Sequence, residues 1–320
     1  MERTKGIMET KKINRLMAGI FLFHIVTVVI LTVMAGKITI GVILNLTLGQ
    51  MLLLAPAVVY LLCWKMSTKE ITLRERLMYN KIRPSTMVYV LFFVWLTMPL
   101  TTVINSISMF FTDNTILEMS DMILDVPFPL MLFIMAVLPA TIEELVFRGI
   151  SYGGYRKAGT KFMAVMLSAL LFGIMHMNLN QALYAFVLGI FLALLVEATG
   201  SLFASMLFHF IYNAQSCCAM FFVEAMDPGY YEKAAEMVLG ADQLYATISV
   251  YLVIAAVTTP LAFCMLYKIA KNENRTVELM ECLPKKQTGK EKLVTPSFVI
   301  ATLIAAAYII FEMVVSALAK

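Results

Sequence analysis

The chain has 320 residues, 61% of them hydrophobic and 14% charged, with a mean hydropathy of +0.83 and a formal net charge of +4. Soluble domains carry roughly 25% charged residues and less apolar content, so this composition excludes an ordinary soluble domain and points to an integral membrane protein. The apolar stretches run unbroken for ~18–25 residues without period-two alternation, which selects helices over a β-barrel.

Taken in chain order, the apolar stretches predict nine spans, at residues 15–35, 41–63, 86–105, 128–150, 162–177, 181–198, 201–223, 244–267 and 295–318. The count falls to eight if 162–198 contains a broken or re-entrant element. The first run is too long for a secretory signal and lacks a small-residue cleavage site. Charge tests the count. Segments 1–15, 65–83, 148–161 and 268–292 carry five, six, four and seven Lys/Arg. The alternate connections differ: Lys37 stands alone, 106–127 has four acids and no Lys/Arg, 177–180 is uncharged, and 224–243 sets Lys233 against five acids. This alternation follows the positive-inside rule with a cytoplasmic N-terminus. The turn at Glu197–Ser201 is the one inner connection without a basic residue.

Thr68–Arg83 mixes apolar residues with five Lys/Arg and reads as an interfacial helix or as a solvated loop. The outer segment 224–243, with a turn signal at Met226–Gly229, is expected to hold a short exposed helix. Pro139 is placed to kink the fourth span just before a carboxylate pair. There is no repeat, low-complexity tract or soluble domain. The five cysteines (Cys63, Cys217, Cys218, Cys264 and Cys282) show no metal spacing, and neither a metal nor another cofactor is expected.

Chemistry concentrates at Glu143-Glu144-Leu145-Val146-Phe147-Arg148, where two carboxylates and a guanidinium end an apolar run. Ionisable groups at membrane depth cost at least ~2.5–3.5 kcal/mol each on insertion scales and default to function. Glu144 and Arg148, at i and i+4, pair on one face, and Glu143 sits about 100° around the helix, free to face a cavity. Of three histidines, His24 has no evident partner and reads as a packing residue. His176 ends the fifth span, and His209 shares a helix face with Asn213. Helical rise places Glu143, His176 and His209 ~15, ~22 and ~12 Å from the inner surface, which permits them to meet. A carboxylate, two imidazoles and a carboxamide are the parts needed to hydrolyse an amide with an activated water. Taken singly, Glu144–Arg148 also fits a structural ion pair, and His209/Asn213 an interhelical hydrogen bond.

The set Glu143-Glu144-x-x-x-Arg148, Phe172-x-x-x-His176 and His209-x-x-x-Asn213 resembles the three-motif signature of the CPBP family. These are the CAAX proteases and bacteriocin-processing enzymes, also called Abi, a group of intramembrane glutamic endopeptidases. Phe147-Arg148-Gly149 and Thr199-Gly200-Ser201-Leu202 match as well, and the likeness covers about 128–216. It implies an all-α polytopic transmembrane bundle in which 1–127 supplies N-terminal helices with a cytoplasmic basic loop. Residues 128–223 would form the catalytic core and 224–320 the C-terminal helices. It implies Glu143 as the base that activates water, His176 as its assistant, and His209 with Asn213 as the oxyanion site. Glu144, Arg148 and Phe172 would support them, with no metal.

The expected partners are the lipid bilayer and a membrane-associated peptide or protein, cut near the cytoplasmic face of a bacterial plasma membrane. No nucleic acid is expected, and the oligomeric state stays open. Two other readings use the same residues: a zinc protease with Glu143, His176 and His209 as ligands, and a non-proteolytic immunity factor, scaffold or transporter.

Overall fold

The computed structural model describes residues 2–34, 42–67, 71–114, 117, 119–236, 240–284 and 293–318. Lys37, Thr68, Lys69, Glu118 and the basic run 285–292 lie outside these residues. Every regular element described is helical: α1 (Glu2–Met34), α2 (Val42–Ser67), α3 (Leu73–Arg76), α4 (Pro84–Ser108) and α5 (Ser120–Leu124). A long composite helix, α6 (Phe128–Ala158), follows. Then come α7 (Lys161–Ile174), α8 (Leu179–Thr199), α9 (Leu202–Met226), α10 (Tyr230–Glu236), α11 (Ala241–Asn272), α12 (Thr276–Met280) and α13 (Pro296–Leu318).

Eight helices among the described residues are long and apolar enough to cross a bilayer: α1, α2, α4, α6, α8, α9, α11 and α13. The ninth predicted span is α7, whose 14 residues reach only ~21 Å at 1.5 Å per residue, short of a ~30 Å hydrocarbon core. By length and composition the described helices fit the eight-span alternative, with 162–198 folded as a short helix hairpinned onto a long one. The turn between them spans Met175–Asn178. Met177 takes a left-handed backbone (φ 57°), and Asn178 caps α8 by accepting from Gln181 N–H at 2.8 Å. His176 sits in that turn.

The fourth span is longer than its sequence reading, reaching Ala158, and it is not one regular helix. It is α-helical over Leu138–Glu144, with π-helical segments at Phe133–Val137 and Leu145–Tyr152 on either side. Leu138 N–H reaches back to Phe133 O and Gly153 N–H to Arg148 O, five residues in each case. Widened turns of this kind strain the carbonyl ladder, so outside donors are needed. Pro139 has no N–H to give the carbonyl one turn earlier, Met135, and Asn213 Nδ2 donates to that oxygen at 3.1 Å. Arg76 does the same at the second segment, donating to Gly149 O at 3.1 Å and Ile150 O at 3.3 Å.

Arg76 corrects the reading of the 65–83 connection. Only Leu73–Arg76 is helical in its described part, closed by a Thr72/Glu75 capping box. Arg76 is fully buried and also pairs with Glu9 of α1 at 2.6 Å. Arg76 and Met78 are wedged against the end of α6, while Arg74, Lys81 and Arg83 are exposed, as the loop reading expects. The basic segments gather at one face. Beside Arg76 and Glu9, Asn14 of α1 donates to Leu293 O and to Thr295 ahead of α13. There, buried Glu197 of α8 takes Lys161 at 2.8 Å, Tyr152 at 2.7 Å and Arg156. Arg275 donates to the Glu197 carbonyl at 2.9 Å. The Glu197–Ser201 turn, with no basic residue of its own, is therefore supplied with three cations from elsewhere. At the opposite face α10 is the short helix expected in 224–243, entered through Gly229 at φ +79°.

Candidate active site

The Leu138–Glu144 turn of α6 aims its two carboxylates differently. Glu144 is fully buried and receives Arg148 Nη1 at 2.9 Å, one helical turn away. The guanidinium, also buried, sits over the Phe172 ring, 4.1 Å from its centroid, a buried cation–π contact. The sequence pairing of Glu144 with Arg148 holds, and Phe172 is its third member.

Glu144 also accepts from His209 Nδ1 of α9 at 3.0 Å. Committing Nδ1–H to a carboxylate fixes the ring orientation and leaves Nε2 as the nitrogen facing away. That Nε2 lies 3.9 Å from Glu143 Oε2. His176 is held in parallel fashion: its Nδ1 donates to the Phe172 carbonyl at 3.0 Å, which again leaves Nε2 unused. Phe172 meets both rings edge-on, at 5.2 Å for His176 and 5.7 Å for His209. One aromatic side chain thus spaces the guanidinium and both imidazoles.

Glu143, His176, His209 and Asn213 all line one cavity of about 440 Å³, together with Phe172. Glu144 and Arg148 stand behind it. His24 is half-buried beside α2 and does not line this cavity. The seven residues that sequence reasoning drew from spans four, five and seven therefore meet, and Asn213 carries an added duty as partner of Met135 O. Among the described residues, no three His, Cys, Asp or Glu stand close enough to hold a metal ion.

Sequence reasoning missed Gln50 of α2, whose Nε2 donates to Glu143 Oε1 at 2.7 Å. It missed as well the carboxamides farther along the cavity, where Asn180 donates to Asn105 and to Ser108, both at 2.9 Å. The available signal was a polar side chain inside an apolar span, the same signal that singled out His209.

The cavity also extends where depth arithmetic alone did not place it. Its walls run from Glu143 toward the ends of α4, α8 and α2 remote from the basic connections, through Asn105, Asn180 and Leu46. Asn105 is 21 residues beyond Pro84, ~32 Å from the inner end of α4, and Asn114 in the following connection also lines the cavity.

Comparison with known proteins agrees with this arrangement. A family model described as "Type II CAAX prenyl endopeptidase Rce1-like" matches residues 125–215. The chain is 30% identical over 98 residues to "Putative membrane peptidase YdiL" of Bacillus subtilis (strain 168), a match covering 30% of this chain and 40% of that protein. The chain thus spans about two fifths of the length of the curated relative it matches. No solved structure matches it. The matched segment contains Glu143, Glu144, Arg148, Phe172, His176, His209 and Asn213, the residues through which the chain resembles the CPBP family of CAAX proteases and bacteriocin-processing proteins.

Proposed function

We propose that the protein is an intramembrane endopeptidase in which Glu143 activates water to cleave a peptide bond of a membrane-associated peptide or protein. The observation that carries this reading is the approach of His209 Nε2 to within 3.9 Å of Glu143 Oε2 at the cavity wall, with the other face of His209 tied to Glu144–Arg148. A water between Glu143 and an imidazole loses its proton to the carboxylate as its oxygen bonds the scissile carbonyl carbon. His209, carrying a proton on Nε2, donates to the resulting oxyanion, and the second amide N–H of Asn213 is the other candidate donor. His176 Nε2 assists proton movement. Glu143 then passes its proton to the leaving nitrogen as the C–N bond breaks. Glu144, Arg148 and Phe172 orient these groups and take no part in bond-making. The scheme needs no metal.

The core at 128–223 carries the chemistry, and the flanking parts 1–127 and 224–320 shape access to it. Gln50 is the specific reason to give the first flank a share in the site. The basic connections support an N-terminus in the cytoplasm of a plasma membrane.

Membranes holding wild type and Glu143→Gln protein, compared by proteomics, test the reading. A membrane-associated substrate should accumulate uncut only with the variant. Equal profiles from two well-inserted proteins, with full biological activity retained, would sink it in favour of a scaffold, immunity or transport role. Chelator titration of purified protein addresses the zinc alternative, since inhibition reversed by added zinc would replace the glutamic mechanism.

A further inference from the structure

From the walls of the cavity, and resting on the endopeptidase reading above, we infer that the substrate enters from the face opposite the basic connections. We infer also that it is an extended, cationic peptide segment cut at an internal bond.

Entry follows from position. Beyond Glu143 the cavity is walled by helix ends that lead into the acidic connections 106–127 and 224–243, and it reaches Asn114 in the first of these. The inner ends are closed by Arg76 against Gly149 and Ile150 and by the cations around Glu197.

Charge follows from the lining. Among the described residues no Lys or Arg lines the cavity, and Glu143 is its one carboxylate. Apart from the catalytic imidazoles, a free C-terminal carboxylate or an acidic side chain would find no cation there, whereas a lysine or arginine is favoured by connections whose sequences hold four and five acids. Lys233, in the second of these segments, is paired with Asp227. The remaining polar lining is carboxamide and hydroxyl, suited to the N–H and C=O groups of an extended backbone. Gln50 reinforces the point: its Nε2 is spent on Glu143, and its Oε1 is buried without a hydrogen-bond partner. An unsatisfied acceptor in the cavity wall calls for a donor on the ligand.

The test is labelling, which needs no turnover. In a chain with its five cysteines replaced, Ser216→Cys and Thr102→Cys report on the cavity and Lys81→Cys on the inner face. A membrane-impermeant maleimide should modify the first two in right-side-out vesicles, and Lys81→Cys in inverted ones. A lysine-flanked alanine/leucine decapeptide added to right-side-out vesicles should slow modification of Ser216→Cys at least fivefold, and a glutamate-flanked counterpart should not. Modification of both cavity cysteines only in inverted vesicles overturns the entry side, and equal protection by the two peptides overturns the charge preference. The same labelling sides are expected in Glu143→Gln protein, so a failure of catalysis is read separately from a failure of this inference.

Discussion

Asn213 and Met135 are joined by a 3.1 Å hydrogen bond from a side-chain amide to a main-chain oxygen on a helix 78 residues earlier. The motif residue that family resemblance assigns to the oxyanion also splints the helix that carries the carboxylates. Asn213→Ala should therefore lower stability by about 1–3 kcal/mol, the cost of an orphaned buried acceptor, as well as activity. Thermal unfolding in detergent reads the first effect. A variant as stable as wild type would return Asn213 to a purely chemical role.

Glu143→Gln keeps an oxygen for the Gln50 N–H bond and leaves Glu144, Arg148 and His209 untouched. Cleavage should fall by ~10²–10⁴-fold, the usual share of a general base, with an unchanged melting temperature. The two numbers together separate a chemical residue from a structural one.

Gln50→Leu removes a hydrogen bond to a carboxylate, worth about 1.5–3 kcal/mol. We expect kcat to drop ~10–100-fold while the chain stays folded. A change confined to KM would make Gln50 a substrate contact only.

Arg148→Met leaves the buried Glu144 without its guanidinium and with the His209 N–H still to accept, which costs up to about 3–5 kcal/mol. The double variant Glu144→Gln/Arg148→Met should recover much of that loss in unfolding measurements, because no uncompensated charge remains. It should stay poorly active, since Glu144 no longer presents a full charge to His209 Nδ1.

Gly173→Ala places a methyl carbon 2.6 Å from Ala182 O and 3.1 Å from Phe186. Backbone cannot yield as a flexible side chain does, so α7 and α8 must part at the turn that carries His176. A loss of about 1–3 kcal/mol together with reduced activity is expected. Gly240→Ala, whose added carbon meets nothing within 4 Å, is the matched control.

Cys282, outside the spans, is packed beside the Glu197 cluster. Burial first, and the Glu197 charge second, push its thiol up to about 12. It should resist iodoacetamide at pH 8 in folded protein and react once the protein is unfolded. The folded state holds this proton more tightly than the unfolded one, so the linked stability is fully present below about pH 9 and is lost as pH rises toward 12.

The spans and the seven clustered motif residues were legible because apolar length and buried charge are local properties of the chain. Glu144–Arg148 was readable from i, i+4 spacing alone. Gln50 was not, since its meaning lies in a contact 93 residues away. Arg76 was misread because a basic residue in a basic connection looks solvated until its partners, two carbonyls and Glu9, are in place. The shortness of α7 was hidden by the turn residues 175–177, which are apolar enough to extend the run. The direction of the cavity was hidden because depth along one helix says nothing of which neighbours stop short.

The two π-helical segments have a geometric corollary. Each adds a residue to its turn, and each extra residue advances the angular phase of all that follows by ~100° relative to an uninterrupted α-helix. Glu143 and Glu144 owe their bearings to the first insertion, Phe133–Val137, and the chain past Arg148 owes its bearing to the second. The Glu-Glu-x-x-x-Arg hexad is thus not a self-contained cassette. Wound as a straight α-helix with every residue retained, it would point its carboxylates about a quarter-turn away from His209, whereas deleting one residue between 133 and 137 would close that turn and leave their bearing unchanged.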